Sequence, residues 1–133
     1  MVMTSCNRRT NPFLTEWDTP YGIPPFEQIE EADYIPAIDA GIEQQKAEID
    51  AIVANAEDPT FDNVIAAFDR SGSTLSKVCG VLFNIAETDI TPTLEGIVEE
   101  ATVKASELEN EIYFNAALFA KVKYVYDHQD KYN

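Results

Sequence analysis

Between Phe61 and Ala86 the residues Phe61, Ile65, Phe68, Gly72, Leu75, Cys79, Leu82 and Ala86 recur in alternating steps of four and three. That spacing lines one face of an α-helix and is incompatible with the two-residue period of a strand. Thr60 stands before the stripe as an N-cap, and Asp62 in the first turn favours the positive end of the helix dipole. A helix of about 26 residues at 1.5 Å each is a rod of roughly 40 Å. Gly72, between Ser71 and Ser73, costs about 1 kcal/mol of helix propensity relative to alanine. Either the helix breaks there or another backbone approaches closely; because the apolar phase runs unbroken across it, one continuous helix is expected.

Three more segments carry the same period. Ile35, Ile38, Ile42, Gln45, Ile49 and Ile52 step by three and four, which predicts a first helix from Ala32–Ile35 to about Asn55, with Pro36 near its first turn. Thr91 and Pro92 open a third helix striped by Leu94, Val98, Ala101, Ala105, Leu108 and Ile112. Its other face carries Glu95, Glu99, Glu100, Lys104, Glu107, Glu109 and Glu111, a solvated surface. Asn115 caps a shorter last helix with Leu118, Phe119, Val122, Val125 and Tyr126 turned inward. Short connections favour antiparallel neighbours. The expected fold is all-α: an up-and-down bundle of three long antiparallel helices plus a shorter fourth.

Ahead of the helices, Pro12, Pro20, Pro24 and Pro25 interrupt any helical order, so this segment is read as an extended strap laid over the bundle. Phe13, Leu14, Trp17, Tyr21, Ile23 and Phe26 are too apolar for a free tail and are expected to pin the strap to the helices. Residues 1–10 are read as disordered, or as a linker or the remnant of a signal peptide, and 11–133 as one helical region.

Composition narrows what such a bundle does. Nine Lys and Arg against 24 Asp and Glu give a net charge of −15, which repels a phosphate backbone and excludes nucleic acid as a natural partner. His128 is the single histidine, whereas a catalytic zinc takes three protein ligands, commonly histidines and carboxylates. A Ser-His-Asp triad would need that same histidine, and no nucleophile elbow surrounds any serine. Cys79 lies in the apolar stripe and reads as an inert buried thiol. Glu99 and Glu100 are adjacent and point about 100° apart on a helix, so they are no acid-base pair. No catalytic or metal-binding residue is assigned. Cys6, after "MVMTS", resembles the lipid-accepting cysteine of a bacterial lipoprotein, though the charged start and apolar stretch of a signal peptide are missing. A lipidated Cys6 would make the protein a periplasmic or membrane-anchored lipoprotein; without it the location is cytoplasmic.

Four stretches, "NPFLTEWDTPYGIPPFEQI", "YIPAIDAGIEQQKAEIDAI", "PTFDNVIAAFDRSGSTLSKV" and "IYFNAALFAKVKYVYD", together resemble the N-terminal region of the bacterial peptidyl-dipeptidases (dipeptidyl carboxypeptidases), zinc metallopeptidases of the thimet oligopeptidase family. The resemblance spans about Asn11 to Tyr132. It implies a longer, almost wholly helical hydrolase, clam-shaped around a deep channel, that releases C-terminal dipeptides from oligopeptides. It implies zinc in the parent enzyme, held by a His-Glu-x-x-His helix and a later glutamate, none of which matches a position here. The implied partners are the C-terminal catalytic portion and oligopeptide substrates. Tyr113, Phe114, Tyr124 and Tyr126, which the stripes do not accommodate, predict self-association of the isolated segment. Two other readings stand beside this one: a free-standing helical protein-interaction module, and an envelope spacer anchored through Cys6.

Overall fold

A computed structural model describes residues 9–131, and among them every regular element is helical. Helix α1 spans Glu31–Ala54. Asp33 sets its start, because its Oδ2 accepts the Glu30 backbone N–H at 2.7 Å, and Glu31 and Asp33 place negative charge in the first turn. Pro36 falls in the second turn rather than the first, where it removes one intrahelical hydrogen bond without ending the helix.

The second rod opens as the sequence foretold. Thr60 Oγ1 accepts the Asn63 N–H at 3.1 Å, and Asn63 Oδ1 accepts the Thr60 N–H at 2.7 Å. Its course is different. Phe61–Ala66 winds as a π-helix, α2 (Ala67–Arg70) follows, and the chain breaks at Ser71 and Gly72 before α3 (Ser73–Thr88). The expected continuity across Gly72 is therefore overturned: Gly72 takes the left-handed conformation at φ 71°, which an L-residue adopts only with strain. Its N–H is held by Glu48 Oε2 at 2.8 Å, so the break is stitched to α1. The wider π-turn also rotates the buried face. Val64 is fully enclosed, whereas Phe61 is 53% exposed and Phe68 stands at the surface, a correction to their expected inward placement.

Thr91 caps α4 (Pro92–Tyr113) by accepting the Leu94 N–H at 3.1 Å. Asn115 caps α5 (Ala116–Asp127) by accepting the Leu118 N–H at 2.9 Å. Cross-links fix directions. Gly41 abuts the Leu75 backbone and Gln45 abuts Gly72, so α1 and α3 are antiparallel. Glu31–Thr91, Asp39–Lys104 and Lys46–Glu111, each 2.8 Å, step forward on both helices, so α1 and α4 are parallel. Lys121 Nζ then donates to the Asn55 carbonyl at 2.6 Å. The all-α up-and-down bundle expected from the sequence forms, and within it α5 extends the third rod along α1 instead of turning back.

Two apolar clusters fill the bundle. The larger joins Phe13, Tyr34, Ile38, Val78, Leu82 and Leu94 to their neighbours on α1, α3 and α4. The smaller joins Ile49, Ile52, Val64, Leu118 and Val125. Both rod breaks face α1 between Gln45 and Asp50, at the junction of the clusters.

The strap makes three short 3₁₀ turns, Pro12–Leu14, Pro20–Gly22 and Phe26–Gln28. Phe13 is completely buried, 5.3 Å from the Tyr34 ring, and Trp17 packs 6.3 Å from Phe13 with Lys77 Nζ 4.7 Å from its own ring. Arg9 grips Asp33 in a two-pronged pair at 2.8 and 2.7 Å, also donates to the Gln28 carbonyl, and Asn11 Nδ2 donates to the Asp33 carbonyl at 2.8 Å. Leu14, Ile23 and Phe26 are exposed, and Tyr21 wholly so. Of the six side chains expected to pin the strap, only Phe13 and Trp17 do.

Candidate interaction surface

The residues able to do chemistry are dispersed. His128 sits at the C-cap of α5, where Nδ1 donates to the Tyr124 carbonyl at 2.8 Å and the ring stacks on Tyr124 at 4.1 Å. Cys79 is half-buried against the larger cluster, and burial pushes its thiol pKa up, which disfavours the nucleophilic thiolate. Glu99 and Glu100 are exposed, the latter 3.6 Å from Lys104. Among the described residues, no three His, Cys, Asp or Glu side chains converge into a group that could hold a metal ion. The donor set for zinc does not fit here. Cys6 lies outside the described residues. Among them, no helix is long and apolar enough to cross a membrane.

The surface offers apolar area instead. At the break between α4 and α5, Phe114 is 85% exposed and Tyr113 75%, and on α5 Tyr126 is 70% and Phe119 64% exposed. Phe119 and Tyr126 were expected inward and are not: the α5 face turned to the smaller cluster is Leu118, Val122 and Val125. Tyr124, expected among the uncovered aromatics, is half-covered by the His128 ring. A cleft runs between α2–α3 and α4. Gln45 of α1 lies at its base, Leu75, Ala105, Leu108 and Ile112 line it, and Phe68 and Tyr113 form its lips beside Glu109. Single exposed apolar residues are ordinary on protein surfaces, but aromatics gathered around a cleft mark a place where another surface belongs. Sequence reasoning missed Phe68 as a lip residue, since the π-turn that turns it outward leaves no mark on the apolar period.

Taken together, the described residues define an all-helical bundle with exposed aromatic side chains and, among those residues, no cluster that could hold a metal ion. The chain is 38% identical over 120 residues, 90% of its length, to "Dipeptidyl carboxypeptidase" of Escherichia coli (strain K12). It is equally 38% identical over 117 residues, 88% of its length, to the protein of the same name from Salmonella typhimurium. These stretches are 18% and 17% of the relatives' lengths, so the chain spans under a fifth of the curated proteins it matches. No family model matches. Over 90% of its own length the chain is similar to the dipeptidyl carboxypeptidases, as the resemblance read from its sequence expected.

Proposed function

We propose that the chain is a non-catalytic helical segment of a zinc-dependent peptidyl-dipeptidase, a hydrolase that releases C-terminal dipeptides from oligopeptides, and that it forms part of the wall of the substrate channel. The observation that carries this reading is the 38% identity extending over 90% of the chain. Rigid antiparallel rods suit a wall, because a channel that admits extended peptides and rejects folded proteins needs a fixed width. Zinc and its ligands would be supplied by polypeptide beyond the described residues.

The decisive experiment is to follow the reading frame past Asn133. A downstream His-Glu-x-x-His segment is expected, and a stop without one would overturn the proposal. As a companion assay, the isolated chain with added zinc and a blocked tripeptide should release no dipeptide. Turnover there would contradict a non-catalytic role.

A further inference from the structure

The cleft between α2–α3 and α4 is built for one kind of occupant. The trough has a volume of about 190 Å³, and Leu75, Leu108 and Ile112 give it an apolar lining between Phe68 and Tyr113. Parallel-sided apolar troughs between helices are filled in proteins by the apolar stripe of another helix, which sets its ridges into the groove. Ala105 lies in the lining, and a small side chain there permits close approach of a second backbone. The charge of the surroundings selects the flanks of that helix. Glu109 stands at the cleft, Glu107 and Glu111 are on the same helix, and the chain carries −15 overall. Such acidic surroundings attract a basic partner.

On the reading given above, we infer that this cleft seats an α-helix from the remainder of the longer protein, one whose apolar stripe is flanked by Lys or Arg. A synthetic probe tests it on the 133-residue chain itself. An amphipathic Leu/Lys peptide of about 18 residues, long enough to be helical, is titrated while the backbone amides of the chain are followed by NMR. Saturable shifts are expected at Phe68, Leu75, Ala105 and Tyr113. A Leu/Glu peptide of the same pattern, and the cleft-filling Ala105→Trp variant, should each bind at least about tenfold more weakly. Tyr113→Ala, an exposed position that folding does not need, should weaken binding without altering the dispersion of the spectrum. Val103→Trp, on the exposed surface of α4, should leave it unchanged. Shifts spread over the acidic surface, equal binding by Ala105→Trp and Tyr113→Ala, or a chain that dimerises through the cleft would overturn the inference. The reading-frame test is independent: a frame containing the zinc motif with a silent cleft sinks the inference alone.

Discussion

The two ends of α1 live in different surroundings. Around its first half, the strap, α3 and α4 converge, and Phe13, Ala37, Ile38, Val78, Leu82 and Ala101 lose all contact with solvent. Around its second half only five residues are buried, from α1, α5 and the π-turn, and exposed Phe61, Phe119 and Tyr126 flank them. Hydrophobic stabilisation scales with apolar area removed from water, so the first half supports itself while the second holds apolar area in reserve. The boundary is polar. Glu48 takes the Gly72 N–H, Lys46 pairs with Glu111 at 2.8 Å, and Ile112 alone of the α4 residues touches both clusters. Where both outer rods break at one level of a continuous central helix, the bundle divides into a finished half and an unfinished one.

Unequal losses from equal truncations would sharpen that division. Leu82→Ala removes a fully buried side chain from the larger cluster and should destabilise the chain by about 3–4 kcal/mol, whereas Leu118→Ala, in the smaller cluster, should cost about 2 kcal/mol. Denaturant unfolding monitored by circular dichroism measures both, and equal losses would break the comparison. Next in size is Gly72→Ala at the boundary. A Cβ there would lie 2.4 Å from Gln45 Cδ and the backbone would stay at positive φ, so about 2 kcal/mol of stability should be lost. A neutral result would show that the break is not held in this conformation.

The strap offers a smaller, pH-dependent effect. Hydrogen bonds from the Arg9 guanidinium hold the Asp33 carboxyl below its ordinary pKa. A carboxylate whose folded pKa is depressed contributes stability that is present above its unfolded value, about 4, and is lost as pH falls through the folded value. The single tryptophan, Trp17, lies in the strap. Its emission should shift to the red as the pH drops below about 4, and Arg9→Ala should show that shift already at neutral pH. The smallest effect belongs to the surface of the unfinished half. Phe119→Ser should change stability by no more than about 0.5 kcal/mol, because that side chain is 64% exposed.

Much of the helical framework in both halves was legible in the sequence, and the reason is local. N-caps are decided by neighbours within three residues, so Thr60, Thr91 and Asn115 disclose their helices. The break at Gly72 was not legible, because a two-residue turn leaves the apolar phase of Leu75 and Leu82 in step with what precedes it. Phe61 and Phe68 misled for a related reason: a π-turn alters rotation per residue without altering composition. The clamp of Arg9 on Asp33 spans 24 positions, beyond any periodic signal. Of the interaction surface, Tyr113 and Phe114 announced themselves by falling off the stripes, whereas Tyr126 sat on the stripe assigned to α5 and is exposed. The cleft did not, because its lining comes from α1, α2, α3 and α4, residues as far apart in sequence as Gln45 and Tyr113.

Native-state hydrogen exchange resolves the central claim most directly, since it reports the opening free energy of each segment. Amides of α5 and of the π-turn Phe61–Ala66 should exchange through a partial opening, well before those of α3 and the first half of α1, which should open only with the whole chain. Uniform protection along all three rods would contradict the account, for it would mean that the bundle is already complete.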